Sequence, residues 1–171
     1  MDYLIKNAKV VDGTGAPAYT ADVAVTGDTI TQIGSINEPC ANTIDAAGRV
    51  LMPGIIDPHS HADAGIFNSD WSHQRITQGI TTEITGHCGP SPAPNCPENM
   101  ELLRRIYFDL TNTGVPFEWP FHDFKGWLDT VRAQKLSANY GFFVGHGTLR
   151  AYVMGGKTEK ASPAEIKAMQ E

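Results

Sequence analysis

The stretch "MPGIIDPHSHAD", residues 52–63, places His59 and His61 one residue apart at the end of an apolar run. If residues 55–61 run as a strand, side chains alternate, so the two imidazoles share a face while Ser60 points away. Imidazoles on one face can offer nitrogens to a single divalent metal. Two ordinary surface histidines after a strand would look the same, so the pair needs a third donor. Cys88 in "ITTEITGHCG", 27 residues after His61, closes the next β-branched run. Adjacent parallel strands bring their C-terminal ends side by side, where a thiolate could complete a His, His, Cys constellation. A small buried hydrophobe is the competing reading of this cysteine. His87 competes for the same place, because neighbours on a strand face opposite ways. Cys88 is preferred as the stronger zinc ligand, which leaves His87 to packing or to a supporting role.

Other residues of chemical type take lesser places. His146 in "VGHGTLR" closes a third apolar run between Gly145 and Gly147, which let backbone or ligand approach closely. A substrate-facing role and a structural hydrogen-bonding role both fit it. Asp57 and Asp63 flank the HxH as supporting residues rather than as the catalytic carboxylate. Cys96 sits incidentally in a proline-rich loop, and His73 and His122 fall on expected helices as surface residues. "GGKT" at 155–158 resembles the end of a phosphate-binding loop, but that motif needs a glycine at position 151, which is Ala. "GTGAP" does not continue as GxGxxG. Nucleotide binding through either segment is excluded.

These residues must be carried by a regular frame. "YLIKNAKVVD" reads as a strand, and "ADVAVTGDTITQIG" as a hairpin turning at Gly27-Asp28. "NTIDAAGRVLMPGIID" adds short extended pieces, so residues 1–52 form a small β module. From residue 53 to 171 strands alternate with helices. "GIIDPHSH", "ITTEITGHCG" and "ANYGFFVGHG" are the strands. "SDWSHQRITQG" is a helix with Ser69 or Asp70 as N-cap and Gly79 past its end. "PSPAPNCPEN" is an irregular loop. Leu102, Leu103, Ile106, Tyr107 and Leu110 mark one amphipathic helix, and Phe121, Phe124, Leu128 and Val131 another. "SPAEIKAMQE" opens a last helix with Ser162 and Glu165 as a capping box and Pro163 at its first position. The fold class is therefore α/β, a β segment followed by three βα units of a parallel sheet.

Composition bounds the partners. Of 171 residues, 41% are hydrophobic and 19% charged, an ordinary globular balance. The net charge of -6, without a basic run, argues against nucleic acid. No apolar run is long enough for a membrane span, and the N-terminus lacks the pattern of a signal peptide. Cys40, Cys88 and Cys96, an odd set, suggest reduced thiols and a cytoplasmic location.

"VLMPGIIDPHSHAD" resembles the entry into the barrel of the amidohydrolase superfamily, and "QGITTEITGHCGPSPAP" with "VGHGTLRAYVMG" is similar to its N-acyl-D-amino-acid deacylase (D-aminoacylase) branch. The resemblance covers essentially the whole chain. It implies a metal-dependent (β/α) barrel with a small β-sandwich built from both termini. It implies Zn2+ held by His59, His61 and Cys88, and hydrolysis of the amide bond of an N-acyl-D-amino acid. The residue before the cysteine is usually Asn in that branch and is His87 here. A full barrel takes about 250 residues, so the chain reads as an N-terminal portion, inactive alone, with further ligands and a late aspartate beyond Glu171. Uncovered sheet edges then favour self-association. Two other readings are a C–N hydrolase of the same superfamily acting on a cyclic amide or related substrate, and a non-catalytic metal-binding or interaction module derived from the barrel.

Overall fold

Apolar alternation in the first fifty residues builds a sheet, and one irregular residue decides which side chains it buries. The computed structural model describes residues 1–63, 65–67, 69–111 and 119–171. They divide into two compact units, Met1–Pro53 and Gly54–Glu171. In the first unit β1 (Tyr3–Val10), β2 (Tyr19–Thr26) and β3 (Thr29–Gly34) are antiparallel neighbours. The hairpin turns at Gly27-Asp28, where Thr26 pairs with Thr29. Short β4 (Thr43–Asp45) and β5 (Val50–Leu51) both run parallel to β1.

The pairing of β1 with β2 shifts between Ile5 and Ala8, where Asn7 adopts a left-handed backbone with φ 55°. This bulge lets Ile5, Ala8 and Val10 share one face with Ala21 and Val23, while Leu4, Ala24 and Ile36 cluster separately. Asp22 holds the bulge. Its carboxylate accepts from the Asn7 amide at 2.9 Å, the Ile36 amide at 3.1 Å and Lys6 Nζ at 2.8 Å. Lys6 foremost, then the two amides, bring the Asp22 pKa down to about 2.

In the second unit β6 (Ile55–Asp57), β7 (Ile80–Thr85) and β8 (Asn139–Phe142) form a parallel sheet in that order. A 3-10 turn (Gly65–Phe67) and α1 (Ser69–Ile76) separate the first two strands. α2 (Pro97–Thr111) and α3 (Phe124–Arg132) separate the next two. α4 (His146–Met154) and α5 (Pro163–Gln170) follow, the latter with the expected capping box and Pro163 in its first turn. Among the described residues, no helix is long and apolar enough to cross a membrane.

Four expectations need correction. The strands stop earlier than the apolar runs do, because Pro58 has no N–H to pair and Gly86 turns to φ 86°. His146 and Gly147, read as the end of the third strand, open α4, with Gly145 as its N-cap. α2 begins inside the proline-rich stretch, since Pro97 costs nothing in a first helical turn. α1 takes in both Ser69 and Asp70, so neither precedes it, and its cap lies outside the described residues, as do the side chains of Ile106, Tyr107 and Leu110.

Trp127, absent from the expected stripe, is the centre of this unit's core at 0% exposure. Its ring meets Phe121 at 5.1 Å and Phe142 of β8 at 5.5 Å, both edge-on, with Val131, Ala62 and Ile66 around it.

Two outcomes follow for stability. Trp127→Ala should lower the unfolding free energy by about 3–5 kcal/mol, read in urea denaturation. A carboxylate whose folded pKa lies below its unfolded value adds stability above the unfolded pKa and loses it as pH falls toward the folded one. Asp22→Asn should therefore destabilise the chain at pH 7, with a loss that shrinks as pH falls from about 4 to about 2. Denaturation midpoints across that range check it.

Candidate metal centre

Beyond β6 the chain is held by its own polar atoms rather than by strand pairing. Asp57 Oδ1 accepts from the His59 amide at 3.1 Å, and the Ser60 amide donates to Ile84 O of β7 at 2.9 Å. The Ser60 hydroxyl donates to Glu83 Oε2 at 2.5 Å and accepts from the Ala62 amide at 3.1 Å. Ser60 is thereby buried, at 2% exposure, and the two flanking imidazoles turn the other way. The expected alternation of His59, Ser60 and His61 is present, although these residues form a loop instead of a strand.

Cys88 is placed by conformational constraint. It has φ 59°, unusual for a residue with a side chain, and sits between Gly86 (φ 86°) and Gly89 (φ 101°). The loop after β7 then locks against the loop opening α4. The Ser91 amide donates to Thr148 Oγ1 at 2.7 Å, and that hydroxyl donates to Ser91 O at 2.8 Å. The Gly145 amide donates to Ser91 Oγ at 2.9 Å, and the Thr148 amide to Gly89 O at 3.1 Å. A Cβ on Gly145 would lie 2.2 Å from Gly89 O, and one on Gly86 2.1 Å from Phe143 O. The glycines in both segments permit backbone to meet backbone.

The loops after β6 and β7 bring donor atoms of His59, His61 and Cys88 within 4.8 Å of one another. His59 Nε2 is 3.2 Å from Cys88 Sγ, and the His59 and His61 rings meet edge-on at 5.5 Å. Burial foremost, then the neighbouring His59 and His87, hold the His61 pKa below its usual value. That favours the neutral imidazole a metal requires. Zinc bonds of about 2.0–2.1 Å to nitrogen and 2.3 Å to sulfur at a tetrahedral angle put N and S about 3.5 Å apart. The observed separation is close to that, and the borderline-soft donor set fits the ion.

His87 does not obey the expected opposition to Cys88. Both residues lie past the end of β7, so strand alternation does not govern them. Its ring stacks on His59 at 4.2 Å and 18°, with Phe143 edge-on at 5.3 Å. Asp63, at 1% exposure, has its pKa raised to about 6, chiefly by burial, and neither carboxylate oxygen has a hydrogen-bond partner among the described residues. His146 is exposed in the first turn of α4, past the end of β8 instead of on it, and is not one of the three clustered residues. Cys96 donates its amide to Asn99 Oδ1 at 2.7 Å. His73 is exposed on α1, and His122 lies ahead of α3 with Nδ1 3.1 Å from Asn95 Oδ1.

Sequence reasoning passed over Glu83, Arg75, Ser91 and Thr148. For Glu83 a signal existed, a single carboxylate inside the β-branched run "ITTEIT". It is fully buried at 0% exposure, 3.3 Å from Arg75 Nη1, which also reaches Asp57 Oδ2 at 3.0 Å.

Residues 42–171 match the amidohydrolase family. The chain belongs to that family. Over 171 residues, 99% of this chain and 34% of the relative, it is 36% identical to the D-aminoacylase of Alcaligenes xylosoxydans xylosoxydans. A crystal structure of D-aminoacylase superposes with a TM-score of 0.81 at 37% identity, covering 99% of this chain and 35% of that one. The N-acyl-D-glutamate deacylase of Bordetella bronchiseptica, solved with zinc and a phosphonate mimic of the tetrahedral intermediate, superposes at 0.80 with 32% identity, covering 99% of this chain and 34% of the other. This α/β chain spans about a third of the length of those relatives.

Gly145→Ala should cost about 1–3 kcal/mol by overpacking the two loops. Gly156→Ala, where a Cβ meets nothing within 4 Å, should stay within about 0.5 kcal/mol of the parent. Thermal or urea unfolding of the two variants separates them.

Proposed function

We propose that this chain is the metal-binding N-terminal portion of a zinc-dependent hydrolase that cleaves the amide bond of N-acyl-D-amino acids. The convergence of His59, His61 and Cys88 carries the reading, supported by likeness to relatives named for that chemistry. Zinc, when bound, would polarise the amide carbonyl and lower the pKa of an attacking water. The chain's own part is to present two imidazoles and a sulfur from the loops after β6 and β7.

The proton-handling carboxylate is not assigned within residues 1–171. Asp57 already spends Oδ1 on the His59 amide and Oδ2 on Arg75, and Asp63 is buried. Further ligands and that carboxylate would come from outside these residues, so this chain alone is inactive. Residues 1–52 would contribute to a composite β-sandwich, and 53–171 would open a (β/α) barrel. The unpaired cysteines support a cytoplasmic setting, and exposed Ile55, Ile56 and Phe143 support self-association of the isolated chain.

The test is to incubate the purified chain with zinc and a panel of N-acetyl-D-amino acids that includes the D-glutamate derivative. Bound metal and free amine are then measured, and assembly is followed by size exclusion. Zinc retention is expected, weakened by His59→Ala and by Cys88→Ser, with amine release at background and elution ahead of a monomer. Robust turnover would sink the incomplete-site reading, failure to retain zinc would sink the ligand assignment, and a clean monomer would remove the self-association.

A further inference from the structure

A carboxylate buried at a sheet–helix interface is costly unless it is paired and hydrogen-bonded. Glu83 is partnered through Oε2 by two groups that both lead to the clustered donors, while its buried Oε1 has no hydrogen-bond partner among the described residues. Ser60, its 2.5 Å partner, is the residue between His59 and His61. Arg75, 3.3 Å away, bridges to Asp57, which sits opposite Glu83 in the strand pairing and accepts from the His59 amide. Tyr140, its partner on β8, has its phenol pKa pushed up to about 12 by burial and then by the neighbouring Glu83. Glu83 cannot itself join the donors, because it is fully buried against the helices while they gather beyond the strand ends.

The geometry points to Glu83 as a positioning residue of the metal centre, fixing through Ser60 the angle at which His59 and His61 meet. This rests on the metal reading proposed above. The tripeptide has no strand pairing of its own beyond the Ser60 amide bond. Without the hydroxyl–carboxylate bond, Ser60 could rotate, and both imidazoles would rotate with it. Such supporting bonds around ligands are worth about 10–100-fold in metal affinity.

The experiment measures zinc Kd by competition with a chromophoric chelator, together with the visible spectrum of the cobalt(II)-loaded chain. The variants are Ser60→Ala, Glu83→Gln and the double variant, with His59→Ala and Val131→Ala alongside. Each single change should weaken zinc about 10–100-fold and alter the cobalt bands. The double variant should be little worse than either single one, because both changes cut one link. Val131→Ala, a core change away from the link, should lower stability and leave Kd unmoved. Should Glu83→Gln fail to fold, Ser60→Ala alone decides through its Kd and spectrum.

Wild-type Kd and an unchanged cobalt spectrum in Ser60→Ala, with binding lost in His59→Ala, would overturn the positioning role and leave the metal site standing. Fully additive losses would equally overturn action through Ser60. Zinc binding indifferent to His59→Ala would overturn the metal reading and this inference with it.

Discussion

The alignment of β6 with β7 is what the second unit depends on. Parallel pairing sets Asp57 opposite Glu83, and both strands give out just beyond that row. Two different loops therefore leave the sheet at nearly the same height. One carries "HSH" and the other "GHC". A slip of one residue would turn every side chain of one strand to the other face and put Glu83 on the side away from Arg75. The buried carboxylate thus penalises the wrong register more than it adds to stability in the right one.

The gathering of His59, His61 and Cys88 was legible because histidine and cysteine are scarce and because strand ends are where α/β folds gather chemistry. The local pattern also showed the hairpin at Gly27-Asp28 and the capping box at Ser162. It misjudged where each strand ends. Apolar runs persist past the last ladder bond, so alternation was extended to His87 and Cys88, where positive φ values had already replaced it. Trp127 stands three residues after Phe124, in helical register with Leu128 and Val131, so the spacing already offered it to the stripe, and its volume fills the core.

The loop after β7 shows what a local reading cannot supply. The prolines mark only an irregular loop, yet Ser91, Ala93 and Asn95 in it are buried. Buried loops are uncommon because their polar backbone must find partners. Here the partners are Thr148 and Gly145, far along the chain, and nothing near Ser91 announces them. The two segments that carried the family resemblance are therefore halves of one hydrogen-bonded clamp. Their likeness to D-aminoacylases has a mechanical content: they hold a sulfur in a backbone conformation that a free chain avoids.

That clamp also sets an order of events during folding. Ser91 and Thr148 are 57 residues apart, so closing the contact costs loop entropy that only later packing returns. The "HSH" and "GHC" segments emerge from the ribosome well before α4 exists to brace them. The site is completed from its far side, by a helix that contributes no donor to it.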